Sequence, residues 1–340
     1  CPMPECVVSP EEGGRRLDHV LARLFPALGL RGRRRLCGEG QVLVNGRPGH
    51  GAYKVRPGDV LCLAETGGAP EASGPSVRLV GRSAHLAALD KPAGLHTEAL
   101  AGKTGDSLQV RLDELLPRGK ERPRLLNRLD FPTSGLVAVA LDEEGAGRWR
   151  RAQEGGLMEK RYLALLEGEL TEERLMRQRL VLKGRERVLV ELADHADFRR
   201  HTLLRPLAAL DARELADILE AAEGRVWRGA GPAPQRATLA ACRIVKGARH
   251  QIRAHAAAAG FPLWGDRRYG AAWLCGLERE NGGERAAPYA ENECFYLHHG
   301  CLSLPGWTVR SAPRWLDLLG GVARAAGLAW LEERAPAPAK

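Results

Sequence analysis

No apolar run in this 340-residue chain approaches the ~18 residues that a membrane-spanning helix needs. The opening segment, Cys1 to Glu12, lacks the basic-then-apolar order of a secretory signal. The eight cysteines, at 1, 6, 37, 62, 242, 275, 294 and 301, are scattered, and no two form a CxxC pair. In a chain of this length such spacing argues against a disulfide framework and against a zinc site. No internal repeat is visible. These absences lead to the expectation of a soluble cytoplasmic protein with reduced thiols and no metal.

What the chain does have is positive charge. Lys and Arg number 51 against 42 Asp and Glu, a formal net charge of +9. A basic balance suits a polyanionic partner, because cationic grooves collect phosphates and release counterions. Hydrophobic content of 44% and charged content of 27% are ordinary for a globular protein, and the length allows two domains with cores.

Residues 13–64 read as a small α/β unit of their own. Leu17, Val20, Leu21 and Leu24 recur at helical spacing, followed by a basic cluster, Arg31, Arg33, Arg34 and Arg35, on a second short helical stretch. Gln41 to Gly46 reads as a strand entering an Asn45-Gly46 turn, and Val55 to Leu61 as a turn into a closing strand. Residues 65–76 are a Gly/Pro/Ser-rich linker too poor in apolar side chains to pack. From residue 77 to 333, short apolar runs (Leu86–Leu89, Leu136–Leu141, Tyr162–Leu166, Val188–Leu192, Ala237–Val245) alternate with helical patterns at Glu143–Gln153, Asp211–Glu223 and His250–Ala259. That mixture predicts an α+β domain built on one large mixed, mostly antiparallel sheet. Residues 334–340 read as a frayed tail.

One string stands out: Leu125-Leu126-Asn127-Arg128-Leu129-Asp130-Phe131-Pro132-Thr133-Ser134-Gly135-Leu136. Asp130 closes an apolar run, a turn follows, and a second apolar run continues to Leu141. Two short buried strands would place Asp130 at a strand end on the rim of the sheet. Taken alone, such a carboxylate caps its turn or pairs with Arg128. The whole string, however, resembles the motif H-R-L-D-x-x-T-S-G-L of the RluA-type pseudouridine synthases. Further matches keep the family's order: Asp90 to Leu95 resembles N-K-P-x-G-L, Lys160 to Ala164 K-x-Y-x-A, Lys246 to His255 T-G-R-T-H-Q-I-R-V-H, and Gly265 to Gly270 G-D-x-x-Y-G. Leu297-His298-His299 and Ser311-Ala312-Pro313 resemble its closing elements. The departures are Asn127 for histidine, Lys246 for threonine and Ala248 for arginine. Residues 13–64 likewise resemble the S-four-like RNA-binding module, through Arg16-Leu17-Asp18, Gly40 to Gly46 and Val55 to Asp59.

The resemblance implies an RNA isomerase that needs no cofactor, since the base leaves C1′ through N1 and returns through C5. A carboxylate can stabilise or attack the positive C1′ that forms, and the resemblance assigns this role to Asp130. Burial disfavours its charged form and a neighbouring arginine favours it; Arg253 is that arginine by resemblance, and a helix start near Gly247 would also favour an anion. Tyr162 completes the expected catalytic set, by stacking on uracil or by helping to remove the C5 proton. Arg128 would fill the space left by a flipped base, and Asn127, His250, Gln251 and Ile252 would line the substrate. Arg31, Arg33, Arg34, Arg35 and Asn45 are the expected RNA contacts of the module. The expected partner is structured RNA, ribosomal ahead of transfer RNA, met by a monomer. A non-catalytic RNA-binding or ribosome-assembly protein, a tRNA-directed synthase and a nucleoside hydrolase stay open at this point.

Overall fold

The computed structural model describes residues 6–25, 29–38, 42–45, 47–63, 76–99, 106–116, 121–184, 187–223, 226–229, 233–276 and 294–333. By its contacts the chain separates into two units, Cys1–Ser73 and Gly74–Lys340. Residues 65–75 of the expected linker and the expected tail at 334–340 lie outside the described residues.

In the first unit, Leu17, Val20 and Leu21 bury themselves against Val42, Val44, Val55 and Leu61. The helical spacing from Leu17 to Leu24 produces only a short helix, Leu17–Val20, because bonds from Ala22 to His19 and from Arg23 to Val20 tighten the chain into turns. The second helix runs Leu30–Gly38. Four short antiparallel strands complete the unit in the order Cys6–Val7, Val60–Leu63, Val42–Val44, Arg47–Pro48. The strand Cys6–Val7 therefore extends the unit ahead of residue 13.

The second unit is organised by eight strands: β1 (Arg78–Arg82), β2 (Leu86–Lys91), β3 (Ser134–Ala140), β4 (Glu159–Glu167), β5 (Arg174–Met176), β6 (Thr202–Asp211), β7 (Arg236–Ile244) and β8 (Leu297–Leu304). They hydrogen-bond in the order β5-β6-β7-β4-β8-β3-β2-β1, and every pairing is antiparallel except that of β3 with β8. Alternation sends Ala87, Leu89, Val137, Val139 and Tyr162 into one apolar layer. Leu86, Ala88, Leu136 and Ala138 enter another with Trp149. Burial on both faces explains why these strands read as continuous apolar runs.

The helix Ala212–Glu223, whose purpose the sequence does not disclose, buries Leu215, Ala216 and Leu219 with Leu163 and Leu165 of β4, on the face opposite Tyr162. The expected strand at Val188–Leu192 forms as Arg187–Asp194, but it pairs with Gln178–Lys183 in a separate two-stranded ribbon and not in the main sheet. Among the described residues, no helix is long and apolar enough to cross a membrane.

Candidate active site

A cleft of about 730 Å³ opens in the second unit, lined by the loop 126–131, by Lys160 and Tyr162 of β4, and by residues 247–253. The loop departs from the strand expected there. Arg124–Leu125 pairs with β3, the Leu126 N–H still donates to the Ala138 carbonyl at 2.8 Å, and 127–130 is irregular. Asn127 supplies the reason: its Nδ2 donates to the Leu136 carbonyl at 3.3 Å, and its Oδ1 accepts from the Ala138 N–H at 2.8 Å. A side chain thus takes the place of a backbone partner along β3 and swings the chain outward toward Asp130. Its carboxamide braces the fold, and the residue also lines the cleft, where it is expected to meet the substrate. In Asn127→Ala a buried Ala138 N–H loses its acceptor, and urea denaturation should show a loss of about 1–3 kcal/mol.

The carbonyl of Asp130 accepts from the Thr133 N–H at 3.1 Å, closing the Pro132 turn. Gly135 follows with φ of 109°, and a Cβ there would run into the backbone of His299 on the paired strand. The Asp130 side chain is 27% exposed and faces the cleft. Arg128 does not pair with it; that guanidinium lies at the cleft mouth, 72% exposed, 2.8 Å from Glu98. Beneath the turn, the wholly buried Lys91 donates to the carbonyls of Pro92 at 2.9 Å, Leu95 at 2.8 Å and Phe131 at 3.4 Å. It ties the segment after β2 to the residue next to Asp130.

The opposite wall is the start of the helix Gln251–Ala258. His250 caps it in the left-handed region, φ 53°, a conformation costly for a residue with a Cβ. Its Nε2 lies 3.8 Å from Asp130 Oδ1, while its Nδ1 pairs with the Tyr269 hydroxyl at 3.0 Å. Burial pulls the imidazole down to about 4, so it is neutral at physiological pH.

Arg253, one turn on, is 1% exposed and donates from Nη1 to Asp130 Oδ2 at 3.3 Å. Its tighter partner is Asp266, fully buried, which accepts from Nε at 2.7 Å and from Nη2 at 2.8 Å. The sequence reading named Asp130 as the salt-bridge partner; the main structural pair is with Asp266, leaving one edge of the fork for Asp130. Gln251 is spent on the scaffold, donating to the Arg200 carbonyl and accepting from the Ala248 N–H, both at 2.9 Å. Ile252 packs in the core with its edge on the cleft.

Tyr162 is 6% exposed and stacks on His299 with centroids 4.5 Å apart and planes at 14°. Burial, with the negative Asp130 nearby, pushes its phenol well above the usual range. A phenol so placed gives up its proton reluctantly.

In the first unit, Asp18 is fully buried and accepts two bonds from Arg16, at 3.0 and 2.9 Å, and one from Arg34 Nε at 2.7 Å. These guanidinium partners hold its carboxyl far below the usual carboxylate range. Arg33 Nε donates to the Asp18 carbonyl at 3.0 Å. Arg33 and Arg34 are therefore anchored at their inner edge, not freely solvated, and Arg34 still shows half its side chain to water. Asn45, φ 52°, holds the turn by donating to Asp59 at 2.8 Å and accepting from the Val60 N–H at 2.9 Å. Both ends of its carboxamide serve the hairpin. The side chains of Arg31 and Arg35 lie outside the described part of the structure.

Sequence reasoning passed over Asp266, Tyr269, Lys91, Lys160 and His299 as site residues. All five sit inside quoted motifs, and for three of them the signal was a charged residue within an apolar stretch (Lys91, Lys160) or directly after a glycine turn (Asp266).

The family model described as RNA pseudouridylate synthase matches residues 85–258, just over half of the chain. The chain belongs to this family. It is an enzyme that isomerises uridine to pseudouridine in RNA. The S4 domain model matches residues 15–61 of the synthase. Curated relatives include an uncharacterized RNA pseudouridine synthase of Chloroflexus aurantiacus, 28% identical over 272 residues and covering 78% of each chain. The ribosomal large subunit pseudouridine synthase D of Pseudomonas aeruginosa is 28% identical over 76% of this chain and 75% of its own. The ribosomal large subunit pseudouridine synthase C of Escherichia coli is 27% identical over 77% and 78%. Among solved structures, human RNA Pseudouridylate Synthase Domain Containing 1 superposes with a TM-score of 0.51 at 22% identity, covering 77% of this chain and 97% of that one; this likeness shows the fold.

Proposed function

We propose that the synthase acts on large-subunit ribosomal RNA, with Asp130 as its catalytic carboxylate. The observation that carries the reading is the convergence on Asp130 of a buried guanidinium, Arg253 at 3.3 Å, and a neutral imidazole, His250 at 3.8 Å, at the wall of one cleft. Asp130 meets C1′ of a uridine flipped out of its helix as the N1–C1′ bond breaks. The base turns within the cleft, C5 bonds to C1′, the C5 proton leaves and N1 is protonated, so no atom is gained or lost. Arg253 keeps a cation against the carboxylate, and Arg128, exposed at the mouth and paired with Glu98, stacks where the base has left. Named relatives that act on the large ribosomal subunit support the choice of RNA. In this reading the domain at 13–64 supplies affinity and target choice, and the enzyme works in the cytoplasm as a monomer.

Purified protein incubated separately with ribosomal RNA, transfer RNA and free uridine tests the reading. Pseudouridine at a defined position of the large-subunit RNA alone is expected. Product on transfer RNA alone would redirect the target, and release of uracil from uridine would make it a hydrolase. The stacking role of Tyr162 has its own check: Tyr162→Phe should bind RNA within about twofold of the parent, and Tyr162→Ala should lose roughly 1–3 kcal/mol in a filter-binding titration.

A further inference from the structure

Two lysines are buried in this unit, Lys91 beneath the Asp130 turn and Lys160 at the cleft, and they differ in one respect. Lys91 has three carbonyl acceptors for its ammonium. Lys160, 4% exposed, has no hydrogen-bond acceptor and no carboxylate partner among the described residues; its ammonium sits 5.0 Å from the centroid of the Trp149 ring. It stands two residues before Tyr162 on β4, so the pleat puts both on one face, and it lines the cleft with Asn127, Gln153 and Tyr162.

An ammonium set in a buried side chain and reached by water only from the cleft favours an anion there, and the face of an indole compensates only part of its lost hydration. Burial lowers Lys160 to about 8, with no opposing charge to raise it. At neutral pH it therefore stays protonated for the most part, and its charge is uncompensated. A neutral acceptor such as a uracil carbonyl would satisfy one N–H and leave the charge unmatched. The anion that an RNA strand brings into a cleft is its phosphate.

We propose that Lys160 receives a phosphodiester oxygen of the substrate strand beside the uridine being isomerised, fixing how deeply the strand enters the cleft. The proposal rests on reading this cleft as the RNA site. It adds a phosphate-binding side chain on the floor of the cleft, separate from the arginines of the N-terminal unit. A single buried contact of this kind also contributes to the salt dependence of binding, by about 0.7 in the slope of log K against log salt for a single strand.

The test uses the full-length enzyme, its Lys160→Met variant, and synthetic stem-loops carrying the mapped target uridine. In each stem-loop one phosphate near that uridine is replaced by an uncharged methylphosphonate. Met preserves length and removes a buried charge, so the variant should melt no lower than the parent. Wild type should lose affinity by roughly thirtyfold or more at one methylphosphonate position, as when one member of a buried charge pair is removed. Lys160→Met should show a comparable loss on all-phosphate RNA, and no further loss at that position.

The proposal is overturned if Lys160→Met handles all-phosphate RNA as wild type does. It is equally overturned if the variant is impaired but every methylphosphonate effect stays additive, which would point to the base as the acceptor. If wild type forms no pseudouridine in the unmodified stem-loop, the reading of the cleft fails along with the lysine. Pseudouridine formation with additive losses sinks the lysine alone.

Discussion

Asp130→Asn should bind RNA within a few-fold of the parent and lose turnover by on the order of 10³-fold or more, the scale seen when a member of a catalytic unit is removed. The amide is the same size as the carboxylate, can still accept the Arg253 N–H, and leaves the backbone bond from Thr133 to the Asp130 carbonyl untouched. What disappears is the negative charge available to C1′. Among the described residues, no other acidic side chain lines the cleft apart from Glu98, which is engaged at the mouth by Arg128. A quench-flow or single-turnover assay separates the two quantities. Turnover near the parental rate in a folded Asn variant would remove Asp130 from the chemistry.

The second large effect is expected at Arg253, where a stability loss and an activity loss should come apart. Arg253→Met strands Asp266, a fully buried carboxylate that has Arg253 as a bidentate partner. Breaking such a pair from one side typically costs about 3–5 kcal/mol. The double variant Arg253→Met with Asp266→Asn removes the stranded charge and should recover much of that stability. It should recover none of the turnover, because the cation at 3.3 Å from Asp130 is still missing. Arg253→Lys keeps a charge but not the planar fork, and it can serve one aspartate at a time. Recovery of both stability and activity in the double variant would reduce Arg253 to a scaffold residue.

Much of the fold was legible because burial on both faces of the sheet leaves an apolar imprint: β2, β3, β4 and β7 all coincide with runs visible in the chain. β6 was not legible. It carries Pro206 beside a register shift, breaking the pattern that marks a strand. β8 was hidden by His298 and His299, polar by type yet almost fully enclosed here, one bonded to Ser311 and the other to Leu136 through backbone carbonyls. The ribbon at 178–194 shows the limit of a local pattern: alternation marks a strand but does not name its partner.

At the candidate site, the pairing of Arg253 with Asp130 was expected from the resemblance. The grip of Asp266 did not, because a pair thirteen residues apart depends on how the turn after the helix folds back. Asn127 is the clearest case of a residue whose type was visible and whose task was not. As a departure from the motif it suggested altered RNA contacts, and its bonds to Leu136 and Ala138 add a second task, that of a brace for the loop. Asn45 follows the same logic in the first unit, with a polar side chain at a turn satisfying the hairpin.

The most direct test of the account is a map of pseudouridines in ribosomal RNA from cells lacking this gene, complemented with the wild-type chain or with Asp130→Asn. The account predicts that one or a few pseudouridines in the large-subunit RNA vanish on deletion, return with the wild-type chain, and fail to return with the Asn variant. An unchanged map on deletion, or full restoration by Asp130→Asn, would contradict it.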